Sequence, residues 1–164
     1  MNWFAFYTKP RCEFKAEAYL KEIEIEHYLP VVERESQWKD RKKRIIEPVI
    51  RSYIFAKGTE KDRLLVMENQ YIIRTLFFAG KPAIIPDWQI ENLRSFLEKT
   101  QEVWVHNGIL RGAKVKVISG PFEGVIGEVA HSPDGDTIFV TLEFMNRTIV
   151  AKLPRESVVA QTSF

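Results

Sequence analysis

After Thr100 the chain carries no helical periodicity, and this change of pattern limits its fold more than any other feature. From there on only strand signals follow, at residues 114–118, 125–131, 137–142, 147–153 and 156–159. The stretch 112–129 is the most structured of them. Val115 and Val117 alternate with lysines, Gly120-Pro121-Phe122 interrupts the strand, and an apolar run resumes at Val125 between Gly124 and Gly127. Glycine supplies the backbone freedom that tight turns and close strand approach require. Ser132-Pro133-Asp134-Gly135-Asp136 reads as a turn and Met145-Asn146-Arg147 as a hairpin tip. Five short strands in about 50 residues predict a small β-barrel. Phe139, Phe144 and Ile149 fit its core better than a contact surface, and Phe122 fits either a loop tip or the core.

The first hundred residues read differently. Residues 2–8 are an aromatic-rich strand, broken by Lys9-Pro10-Arg11. Residues 12–25 place Ala16, Leu20 and Ile23 on one helical stripe. Strands are predicted over 27–33, 53–57 and 71–78, with a polar stretch at 34–47 and a short helix over 60–69. Asp87 is the expected N-cap of a helix over 88–99 carrying Ile90, Leu93 and Leu97 on one face. Such an order predicts an α+β fold, with helices on an antiparallel sheet. Three segments result: an α+β domain over 1–100, a linker over 101–111 and a barrel over 112–164.

Composition excludes several classes. No apolar run approaches the roughly 20 residues of a membrane span, and Met1-Asn2-Trp3-Phe4 lacks the basic start of a secretion signal. A single cysteine, Cys12, excludes an internal disulfide and fits a reducing cytoplasm. His27, His106 and His131 are widely spaced, and no Cys/His pattern predicts a metal site. No nucleophile elbow or phosphate-binding glycine loop opens a helix, so no enzyme activity and no cofactor are expected. The net charge of +2 is too mild to imply nucleic acid by itself, so local clustering must carry that argument.

Trp3-Phe4-Ala5-Phe6-Tyr7, the basic Lys9-Pro10-Arg11, and Pro48-Val49-Ile50-Arg51-Ser52-Tyr53-Ile54-Phe55 together resemble the NGN domain of the NusG family. Gly80-Lys81-Pro82-Ala83-Ile84-Ile85-Pro86 is similar to the segment before that domain's last helix. Residues 112–129 resemble the KOW motif of the family's small barrel, in which Gly120, Pro121, Phe122, Gly124 and Gly127 are structural. The hairpin Ser36-Gln37-Trp38-Lys39-Asp40-Arg41-Lys42-Lys43 and the Pro-Ala-Ile-Ile-Pro run are similar to the specialised UpxY and RfaH branch. That branch holds operon-specific antiterminators, often of surface-polysaccharide operons. The resemblance implies a monomeric cytoplasmic transcription elongation factor, without cofactor, that binds RNA polymerase at the β′ clamp helices. Two alternatives stand beside the specialist: the general NusG factor, and an RNA-binding or ribosome-associated KOW protein.

Two clusters are candidate sites. Tyr7, Tyr53 and Phe55 fall on neighbouring strands, and the resemblance makes them the clamp-binding face; without it, an ordinary core is the better explanation. Residues 39–44 set Lys39, Arg41, Lys42, Lys43 and Arg44 against the single acid Asp40, beside Trp38. Lys9, Arg11 and Lys15 lie at the first strand–helix junction. Cations contact phosphates and an indole stacks on an unpaired base, so these residues fit nucleic acid. A solvated, charge-protected edge explains them too. The resemblance directs them to the upstream or non-template DNA, and gives the barrel a partner such as Rho or a ribosomal protein.

Overall fold

The computed structural model describes residues 1–163. It divides into two compact units, Met1–Ile90 and the chain from Glu91 onward.

In the first unit, β1 (Asn2–Thr8) leads into α1 (Glu13–Glu22). β2 (Glu26–Tyr28), β3 (Val31–Trp38), β4 (Arg41–Pro48) and β5 (Tyr53–Gly58) follow. Then come α2 (Glu60–Val66), β6 (Ile72–Thr75), β7 (Phe77–Phe78), β8 (Lys81–Pro82) and β9 (Ile84–Ile85). The main antiparallel sheet runs β2-β5-β1-β6, and β9 also pairs with β1. Because side chains alternate across a strand, β1 sends Phe4 and Phe6 to one face and Trp3, Ala5 and Tyr7 to the other. Phe4 and Phe6 join Ile54 and Ala56 of β5, Ala16 and Leu20 of α1, and Val66 of α2 in one apolar core.

Two predicted strands are each split. The strand expected over 27–33 breaks at Leu29-Pro30: β2 stays in the main sheet and β3 leaves it to pair with β4. Proline has no N–H for a ladder, so the sheet ends where it occurs. The strand expected over 71–78 breaks at Leu76, whose N–H donates to the Ala5 carbonyl; beyond it β7 pairs with β8 instead. The polar stretch 34–47 contains the hairpin expected at residues 36–43. It forms most of the β3–β4 ribbon, paired in unbroken register from Val31↔Pro48 to Trp38↔Arg41.

Helix α2 is held at its start by a capping box, in which the Asp62 carboxylate accepts the Thr59 N–H and hydroxyl. The Thr59 N–H bond, then its hydroxyl, holds the Asp62 carboxyl below its ordinary value. A carboxyl depressed in the folded state contributes stability above its unfolded pKa and loses it as pH falls through the folded one. Urea denaturation of Asp62→Ala should therefore show its full deficit at neutral pH. That deficit should shrink as pH falls below the ordinary carboxylate range.

Helix α3 (Asp87–Lys99) crosses the division at Ile90. Asp87 is its first helical residue, not the flanking cap that the sequence predicts, and its carboxylate pairs with Lys57 at 3.0 Å. In the second unit β10 (Val103–Asn107), β11 (Ala113–Ser119), β12 (Ile126–Ala130) and β13 (Thr137–Leu142) are followed by a short turn of 3-10 helix. β14 (Arg147–Lys152) and β15 (Val158–Gln161) complete a six-stranded antiparallel sheet of order β10-β14-β13-β12-β11-β15. β10 is the strand that sequence reading places in a linker. Val103 is buried while Trp104 is exposed, so β10 is an edge strand with one apolar position packed inward.

Phe122 is core. It is 2% exposed, and its ring centroid lies 5.4 Å from that of Phe96. Gly127 cannot carry a side chain, since a Cβ there would sit 2.8 Å from the Phe139 carbonyl oxygen. Phe139 and Ile149 are buried as expected, whereas Phe144 is only half-buried. Asn92 of α3 bonds to β12 as a strand would: its amide donates to the Ile126 carbonyl at 2.6 Å and accepts the Ile126 N–H at 2.8 Å. Asn92→Ala leaves both backbone groups without that partner, at a cost of about 1–3 kcal/mol. A lowered urea midpoint with an unchanged m-value is the expected readout.

Candidate functional site

Two surfaces of the first unit gather the predicted residues. The first lies on the main sheet, on the face opposite the α1/α2 core. The register sets Tyr7 opposite Tyr53 and Ala5 opposite Phe55 on β1 and β5, and Tyr28 opposite Phe55 on β2 and β5. Tyr7 and Tyr53 meet edge to face, with centroids 5.3 Å apart, the arrangement that aromatic quadrupoles favour. Tyr28 stacks on Phe55 at 6.4 Å. The two tyrosines are half-buried, but Phe55 is 0% exposed. Of the three predicted contact residues, then, only Tyr7 and Tyr53 reach the surface, and Phe55 is packing beneath it.

Sequence reading missed Arg74. It pairs with Tyr7 in the β1–β6 register, and its guanidinium carbon sits 5.7 Å from the centre of the Tyr7 ring. Across the same junction the Lys15 ammonium lies 5.4 Å over Tyr71. A lone arginine in an apolar strand carries no local signal. Only the strand pairing shows that it flanks the aromatic pair.

The loop carrying Tyr53 is anchored from α1. Ser52 has a left-handed backbone, φ 65°, and its N–H donates to the Glu13 carboxylate at 2.7 Å. Thr8 closes the other side by donating its N–H to the Ser52 carbonyl at 2.8 Å. Glu13 is 5% exposed, so its position is set by this bond and not by solvent. Arg11, at φ 61°, turns the chain between β1 and α1, and Lys9 donates its N–H to the Tyr71 carbonyl. Lys9, Arg11 and Lys15 are all exposed around this junction. Glu13→Ala should cost about 1–3 kcal/mol by stranding the Ser52 N–H, measured by urea denaturation.

The second surface is the β3–β4 ribbon. Its turn falls at Lys39-Asp40, where Lys39 has φ 34°. Trp38 is 56% exposed, with the Lys43 ammonium 5.9 Å from its ring. Lys42 pairs with Glu35 at 3.7 Å and Arg44 with Glu33 at 3.6 Å; lower down, Arg34 pairs with Glu47 at 2.6 Å. The run of five cations at 39–44 is therefore partly compensated from the opposite strand.

Comparison with known proteins agrees with this architecture. Residues 1–94 match the family model described as "Transcription termination factor nusG". The chain belongs to the NusG family. Membership makes it a transcription elongation factor. Among solved structures it is similar to NusG of Thermotoga maritima, described under domain interaction, at 18% identity and TM-score 0.48, covering 92% of this chain and 93% of that one. It is also similar to the MjSpt4:Spt5 complex, at 15% identity and TM-score 0.33, covering 98% and 99%. The assignment rests on the family match and not on these distant likenesses. No curated protein matches the chain significantly. Among the described residues no helix is long and apolar enough to cross a membrane, and no cluster of His, Cys, Asp and Glu could hold a metal ion.

Proposed function

We propose that this NusG-family protein is a cytoplasmic, non-enzymatic antitermination factor that grips the clamp helices of the RNA polymerase β′ subunit through Tyr7 and Tyr53. The edge-to-face tyrosine pair, with Arg74 beside it, is the observation that carries this reading. Two rigid aromatics held by a sheet offer contact area at little entropic cost, which is how strong protein contacts are made. Phe55 supports that face from below, and Tyr28 packs on it. Lys9, Arg11, Lys15 and the β3–β4 ribbon contact the upstream or non-template DNA. A factor bound to both polymerase and DNA favours the closed clamp over the open one by differential binding, and so reduces pausing. The barrel carries a separate contact to a partner such as Rho or a ribosomal protein.

Similarity of residues 36–43 and of Pro82-Ala83-Ile84-Ile85-Pro86 to the UpxY and RfaH branch supports a specialist acting on one or a few operons, such as those for surface polysaccharide. Tyr7→Ala/Tyr53→Ala tests the assigned face and avoids Phe55, whose truncation would cost about 3–5 kcal/mol in the core. The double variant should keep its circular dichroism spectrum and lose co-purification with RNA polymerase. DNA recovered with the wild-type complexes should map to a few operons. Retained polymerase binding would sink the assigned face, and recovery from all transcribed genes would sink the specialist role.

A further inference from the structure

The sheet face that carries the tyrosine pair is asymmetric in charge. The register sets Trp3, Ala5 and Tyr7 of β1 beside Lys57, Phe55 and Tyr53 of β5, with Glu26 and Tyr28 of β2 on one flank and Arg74 of β6 on the other. At the Trp3 end the charge is balanced. Lys57 lies across from Glu26, its ammonium is 3.0 Å from the Asp87 carboxylate, and it covers the Trp3 ring at 5.9 Å. At the tyrosine end the charge is not balanced. Arg74 is exposed, and among the described residues it forms no ion pair; its guanidinium rests against the Tyr7 ring. Glu13, the acid that anchors Ser52 at this end, is buried and engaged with a backbone N–H. A guanidinium against a ring still presents its edge N–H groups, in the fork that suits an oxyanion.

We propose that Arg74 is the specificity-determining residue of this face: it takes a carboxylate of the partner protein, from an acidic side chain beside the apolar residues seated on Tyr7 and Tyr53. The inference rests on the polymerase contact proposed above and adds to it the direction in which the partner's helices dock. Apolar contact is non-directional, so two tyrosines alone leave that direction undetermined. One uncompensated cation, opposite a balanced end, removes the ambiguity. A helix docked in reverse brings its acid to the Trp3 end, where Lys57 is already engaged with Asp87, and leaves Arg74 covered without a counter-charge. The penalty falls on the wrong arrangement, which is how charge confers specificity. A phosphate also suits a guanidinium fork, but the rings beside Arg74 disfavour a nucleic acid. Tyr7 and Tyr53 meet at 67°, so they present no common plane on which successive bases stack.

The test measures binding of the fluorescein-labelled full chain to RNA polymerase core enzyme, without nucleic acid, by anisotropy at several salt concentrations. Arg74→Gln should weaken binding by about tenfold or more and flatten its dependence on salt. Arg74→Glu should weaken it further, by repulsion, and Arg74→Lys should recover part of the loss, since an ammonium keeps the charge but not the fork. Each variant should keep the wild-type urea midpoint, because the side chain is exposed. A polymerase with one acidic residue of its clamp helices changed to lysine should bind Arg74→Glu better than it binds the wild-type chain. Equal losses from the Gln, Lys and Glu variants, with unchanged salt dependence, would overturn the proposal, because Arg74 would then only support the Tyr7 ring. So would unchanged binding of Arg74→Glu, or a loss that appears only when DNA is added, which would make phosphate the ligand. The two readings fail separately. If Tyr7→Ala/Tyr53→Ala loses polymerase while Arg74→Glu does not, the clamp face stands and the role of the arginine falls. If both variants bind as the wild type does, or the wild type does not bind, the clamp face falls with it.

Discussion

The pleat of β1 is the constraint on which the first unit depends. This strand is paired on both sides, by β5 and by β6 with β9, so its side chains have only the two sheet faces to occupy. Phe4 and Phe6 commit one face to α1 and α2. The other face then receives Trp3, Ala5 and Tyr7, and the register of β5 sets Tyr53 and Phe55 against them. Shifting that register by one residue would turn every aromatic to the wrong side. The surface assigned to polymerase is thus a by-product of core formation: the residues that reach it are those the pleat denies to the core. The Glu13–Ser52 bond fixes the loop from which Tyr53 enters the strand.

The ribbon follows the opposite rule. Among the described residues it pairs with no further strand, and beyond its base it stands on hydrogen bonds and charge pairs between two strands. Exposed ion pairs contribute little stability, about 0–1 kcal/mol each. Their consequence here is spatial. By neutralising one face they leave the positive potential of residues 39–44 on the other, beside the indole. A composition count sees five cations and one acid, whereas the register sets Arg41 and Lys43 on one side, without an ion pair among the described residues.

Much of this was legible in the sequence, and the failures have identifiable causes. Alternation in residues 2–8 and 53–57, and the loss of helical periodicity after Thr100, place the strands correctly. Pro30 marks the break after β2, but the apolar residues on either side of it read as one strand. β10 reads as linker because an edge strand needs few apolar residues, and Val103 is its one fully buried position. Phe122 could not be assigned from its loop; its burial depends on Phe96, which is 26 residues earlier in the chain. Phe55 reads as surface because a contact residue and a core residue look alike in a strand. Arg74 left no trace at all, since its meaning comes from lying across from Tyr7.

By itself the sequence determined most of the strands and helices, the end of helical periodicity near Thr100, and to which family the chain belongs. Periodicity, turn residues and short motifs are local, and each can be read from a few neighbouring positions. Tertiary structure decided which aromatics are accessible, which glutamates neutralise which basic residues, and which arginine stands beside the tyrosine pair. Those are questions of register and burial. They are settled by residues distant in the chain that the sheet brings to within a few ångströms, and no local pattern encodes that distance.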